Sequence, residues 1–73
     1  MIKGEKLLKL GHSILKDNNV QNYNLDARIL LANLLSLENK YFMSEVKVSN
    51  KDKETFFSMI EDRVNGKPVS KII

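Results

Sequence analysis

A single histidine, His12, stands in a chain without cysteine, and Ser13 follows it directly. An imidazole beside a hydroxyl can activate a nucleophile, but neighbours on a helix point about 100° apart and share a proton poorly. His12 falls at the rim of an apolar face and reads as a surface or boundary histidine. Glu61 and Asp62 beside Arg63 have the composition of an acid/base cluster. On the outer face of an amphipathic helix the same residues are ordinary solvated charges, which is the reading adopted. One histidine and scattered carboxylates do not make a zinc site. A nucleotide or methyl-donor site needs a glycine-rich turn between strand and helix, and Gly4, Gly11 and Gly66 are isolated from one another. Tyr41, Phe42, Phe56 and Phe57 could stack nucleic-acid bases, yet their helical spacing suits a core. No catalytic, cofactor-binding or metal-binding residue is assigned.

The elements that hold these residues follow from the apolar pattern. Seventy-three residues make one small domain, which buries only about 60% of the surface of its unfolded chain. Without disulfides it rests on apolar packing. From Glu5 to Lys16, residues Leu7, Leu8, Leu10, Ile14 and Leu15 recur at helical spacing with Gly11 inside the stripe. A glycine there costs about 1 kcal/mol against alanine. It marks either close approach of a neighbouring helix or a tolerated weak position. Asp17-Asn18-Asn19 ends the helix.

Asn24 is the expected N-cap of a second helix, with Asp26 in its first turn. Its apolar residues, from Leu25 through Leu35, cover nearly the whole circumference and leave Asp26 and Asn33 on a narrow polar strip. Such a helix belongs in the middle of a bundle. A short third helix is expected over 37 to 45, and Val46-Lys47-Val48 reads as an extended connector, a strand too short to stand without a partner. Ser49 and Asp52 signal the start of a fourth helix carrying Phe56, Phe57, Ile60 and Val64. Asn65-Gly66 supplies a left-handed stop, and Pro68 can open a further turn from Val69 to Ile73. The fold class is all-α: a small bundle of four to five short helices, the second central, in one domain over residues 1–73. Ile72 and Ile73 close the chain on an apolar pair, which suggests that the natural polypeptide continues.

Charge and hydropathy exclude some partners. The longest apolar run, Ile29 to Ala32, is far short of the roughly 20 residues of a membrane span, and the N-terminus has no secretory h-region. A cytoplasmic protein is expected. Twelve Lys and Arg against nine Asp and Glu give a net charge of +3, compatible with an acidic partner. That balance alone does not show the one-sided basic face of a nucleic-acid binder.

Two segments resemble a known family. Leu25-Asp26-Ala27-Arg28-Ile29-Leu30-Leu31-Ala32-Asn33-Leu34-Leu35 is similar to the HemK/PrmC-type stretch in which an Asp-Ala pair opens a leucine-rich helix. Arg63-Val64-Asn65-Gly66-Lys67-Pro68-Val69-Ser70-Lys71-Ile72-Ile73 resembles the same family's Arg-x-x-Gly-x-Pro-(Val/Leu)-x-Tyr-Ile-(Leu/Thr) segment, with Lys71 where the family usually has an aromatic residue. The residues carrying the likeness are Asp26, Ala27, Leu30, Leu31, Arg63, Gly66, Pro68 and Ile72.

The resemblance implies an N-terminal substrate-recognition domain of a release factor glutamine methyltransferase. Its implied partners are class-I peptide chain release factors and its own C-terminal methyltransferase domain. The family's glycine-rich S-adenosylmethionine loop and Asn-Pro-Pro-Tyr motif have no counterpart here, so cofactor and chemistry are expected in a separate domain. A flexible Gly-Gly-Gln loop offers little recognition surface, and a helical bundle can supply a second contact that orients the substrate. Two other readings compete: a helix-turn-helix nucleic-acid binder using Asn39, Lys40 and Ser44, and a generic helical adaptor. Asp26 and Arg63 either meet and fix two helices or serve as separate terminal charges.

Overall fold

Leu7, Gly11 and Leu15 recur every four residues on one helical face, and in a computed structural model, which describes residues 1–36 and 46–73, this face is buried. The elements in chain order are β1 (Ile2–Lys3), α1 (Gly4–Asp17), α2 (Tyr23–Leu34), β2 (Lys47–Val48), α3 (Asn50–Val64) and α4 (Val69–Ile72). Helices α1, α2 and α3 pack against one another, and α4 packs on α2 and α3. Leu7, Leu15, Ala27, Leu30, Leu31, Val48, Phe56 and Ile60 form the core. The fold is the expected all-α class; among the described helices α2 shares the middle position with α3, each of them touching the other three. The short helix expected over 37 to 45 lies outside the described residues.

The connector expected at Val46–Val48 is instead a strand. Lys47–Val48 pairs antiparallel with Ile2–Lys3, Ile2 opposite Val48 and Lys3 opposite Lys47. Its partner lies at the other end of the sequence, so no local pattern announces the pairing. The ribbon is stable only because it leans on the helices: Val48 is in the core and Ile2 packs against it. The Gly4 amide, the first of α1, donates to the Val46 carbonyl at 2.7 Å, so the ribbon also closes one orphan donor at the helix start.

Two details of α2 differ from expectation. The helix begins at Tyr23 after Asn22, whose side chain makes no capping bond, so Asn24 is not the cap. The polar strip of Asp26 and Asn33 is not solvated along its length: Asp26 is 7% exposed, whereas Leu25, among the apolar residues, is 50% exposed. Asp26 and Leu30 are one turn apart and share the buried face. What makes an acid acceptable there is a partner on α3. Leu10 also leaves the apolar stripe of α1 for its exposed edge.

The helix ends are specified by their backbones. After α1, the Val20 amide donates to Leu15 and the Asn19 amide to Lys16, with Asn19 left-handed at φ 62°. After α3, the Lys67 amide donates to Asp62 and the Gly66 amide to Arg63, with Gly66 at φ 94°. Both are Schellman closures, with asparagine and glycine at the position that demands positive φ. Ser49 caps α3 as expected, its hydroxyl accepting from the Asp52 amide at 3.2 Å.

Candidate functional site

His12 sits where α1 meets the start of α2. Its Nε2–H donates to the Asn24 carbonyl at 3.2 Å, and its ring meets Tyr23 edge-on with centroids 6.3 Å apart. Lys16 Nζ lies 5.9 Å from the centre of the same Tyr23 ring. Loss of solvent around the imidazole holds its pKa below the ordinary 6.5; the bond to Asn24 opposes this and the nearby Arg28 cation adds to it. Ser13 is exposed on another side of the helix, so no His–Ser couple forms. His12 is a boundary residue that ties α1 to α2.

That position carries a pH signature. A histidine whose folded-state pKa is depressed favours the folded chain when neutral, so its contribution is complete above the unfolded value and is lost as pH falls through the folded value. The urea midpoint should fall between pH 7 and about 5.5 with a slope below the one-proton limit of about 1.4 kcal/mol per pH unit. In His12→Gln, which keeps an N–H donor for Asn24, the slope should flatten. An unchanged slope would assign the pH dependence to other groups.

Glu61, Asp62 and Arg63 at the end of α3 do not act as one cluster. Glu61 is exposed and Asp62 half-buried, while Arg63 turns away from both. Arg63 Nε donates to Asp26 Oδ2 at 3.0 Å, joining the last turn of α3 to the first turn of α2 across 37 residues of sequence. Their side chains are 26% and 10% exposed. Each charge also stands at the helix end whose dipole favours it, the acid at an N-terminus and the cation at a C-terminus.

The remaining family-like residues fall into two groups. Ala27, Leu30 and Leu31 are core residues of α2 beside Asp26. Gly66, Pro68 and Ile72 form the joint after α3: Gly66 turns the chain, Pro68 at φ −63° precedes α4, and Ile72 packs against the core. The two terminal isoleucines are therefore unlike, Ile72 held and Ile73 54% exposed. Gly4 stands between a strand and a helix, a position the sequence pattern did not reveal. Its amide is already taken by Val46, and Gly11 is buried against Phe56, so these glycines do not make a cradle for a nucleotide or methyl donor. Among the described residues no three His, Asp or Glu come together as metal ligands would.

Residues 6–73 match the family model described as the PrmC N-terminal domain. The chain belongs to this family. The release factor glutamine methyltransferase of Clostridium botulinum (strain Hall / ATCC 3502 / NCTC 13319 / Type A) is similar over 69 residues at 28% identity, covering 92% of this chain. The chain spans 24% of that relative's length. No solved structure matches. The PrmC N-terminal match contains the Asp26–Arg63 pair, the core of α2 and the Gly66–Pro68 joint, and it omits β1 and the first two residues of α1, Gly4 and Glu5. In the described residues of this PrmC N-terminal chain no helix is long and apolar enough to cross a membrane.

Proposed function

We propose that this chain docks a class-I peptide chain release factor, so that the glutamine of its Gly-Gly-Gln loop is presented to a separate S-adenosylmethionine-dependent methyltransferase domain. The match to the PrmC N-terminal domain over residues 6–73 carries this reading. Its physical support is a bundle whose helices are fixed to one another by a common core and by the Asp26–Arg63 bond, with no glycine cradle among the described residues. Such a body contributes orientation and effective concentration, not bond making. The cofactor and the transfer step belong to the other domain, and a cytoplasmic location follows from the substrate.

Calorimetric titration checks both halves of the proposal. The chain should bind a purified class-I release factor and should take up no S-adenosylmethionine. In an enzyme carrying both domains, removing the bundle should depress turnover on intact release factor far more than on a short Gly-Gly-Gln peptide, which cannot reach it. Cofactor binding by this chain, or equal losses on both substrates, would overturn the assignment.

A further inference from the structure

Five of the twelve Lys and Arg of this chain are gathered on one side. Lys3, Lys6, Lys9, Lys16 and Lys47 are all exposed, on the β1–β2 ribbon and on the face of α1 opposite Leu7, Gly11 and Leu15. Lys3 and Lys47 are register partners, so two like charges stand directly across the ribbon from each other. Such a pair costs stability. Lys3, Glu5, Lys6 and Lys9 border a shallow open recess of about 190 Å³. Lys16 follows Lys9 by seven residues, about two turns, and continues the same face toward Tyr23, where the exposed Asp17 adds a second acid. Glu5 reaches Lys9 at 3.7 Å, but both side chains are largely in water and the pair neutralises little.

We propose that this ribbon-and-helix face is where an acidic surface of a folded protein partner seats, and, resting on the docking role argued above, that the partner is the release factor. Lys3 and Lys47, which repel each other without return to the fold, gain their use when a negative surface arrives. Glu5 decides between partner classes. A phosphate backbone is uniformly negative and meets a carboxylate at the border of the recess, whereas a folded acidic surface carries interspersed cations that can face it. The face also has no arginine, the residue that grips phosphate bidentately. The contact is steering and registry by point charges, so it acts mainly on the association rate.

Association of the chain with purified class-I release factor, followed by stopped flow at low and high salt, tests the assignment through Lys3→Glu and Lys6→Glu, with Lys67→Glu as the control. Each reversal on the face should slow association at low salt by about fivefold or more, and the difference should shrink at about 1 M salt, where screening acts within about 3 Å. Lys67→Glu should change the rate much less. Lys3→Glu has a second readout: it turns the like-charged pair with Lys47 into an opposite-charged one, so the thermal midpoint should rise by a degree or a few while binding weakens. Binding and stability moving in opposite directions cannot come from unfolding. If the wild-type chain binds and the face variants behave like the control, the surface assignment falls and docking stands. If the wild-type chain does not bind the release factor at any salt, docking itself falls and this surface with it. Tighter binding of duplex DNA or RNA than of the release factor would overturn the choice of a protein partner.

Discussion

Gly11→Val should lower the stability of this domain by about 3 kcal/mol, the upper part of the range for overpacking a filled core. A Cβ built at Gly11 would stand 2.7 Å from Phe56 Cζ, 2.9 Å from Phe56 Cε2 and 3.3 Å from Ile60 Cδ1. The Phe56 ring is fully buried among the core residues, and close-packed interiors leave little space into which it could retreat. Even Gly11→Ala, which recovers about 1 kcal/mol of helix propensity, should come out net destabilising. For a chain of this size total stability is on the order of 4 to 11 kcal/mol, so the valine variant approaches the unfolding threshold. Urea midpoints measure both changes. Gly11→Ala/Phe56→Leu should lose less than the sum of the two single changes, because the shorter side chain gives the Cβ room. A Gly11→Ala chain as stable as the wild type would mean that α1 and α3 are less tightly apposed than their geometry states.

The three described long helices could be read from local signals because each carries one: the Leu7, Gly11, Leu15 stripe for α1, the leucine run for α2, and the Ser49 cap with Phe56 and Ile60 for α3. Gly66 was legible for the same reason, since a helix stop with positive φ is written in two adjacent residues. What escaped depends on contacts between distant positions. The ribbon needed Ile2 to meet Val48, and nothing near either residue says so. Asp26 reads from the sequence as a polar position of α2 that either meets Arg63 or stands as a terminal charge, because helical periodicity treats every carboxylate as polar and does not say what faces it. Only the arrival of Arg63 makes the buried position tolerable. Gly11 was open between two meanings for a related reason: a glycine's neighbours across an interface are invisible until the interface is seen. The basic face combines both problems, since Lys3 and Lys47 join α1's lysines only once the ribbon has formed.

Removing Arg63 should cost about 2 to 4 kcal/mol, more than an exposed ion pair accounts for and close to the cost of breaking a buried one. The reason lies in the asymmetry of burial. Asp26 is the deeper partner, its side chain 10% exposed against 26% for Arg63. In Arg63→Ala the carboxylate is left in the α2–α3 seam with little water, and the aliphatic stem that covered it is lost as well. In Asp26→Ala the longer arginine can swing its guanidinium into solvent, so that variant should lose less, about 1 to 3 kcal/mol. The double variant should be more stable than the sum of the two losses predicts, with a coupling of about 1 to 2 kcal/mol. The pair also fixes geometry: one bond of 3.0 Å ties the start of α2 to the end of α3, beside the Gly66 and Pro68 joint. Its loss should therefore raise amide exchange in the last turn of α3 and in α4 before the rest of the bundle opens. Denaturant titrations of the four chains give the coupling, and hydrogen exchange gives its location. Additive losses within about 0.3 kcal/mol would show that the two charges act separately, each on its own helix end.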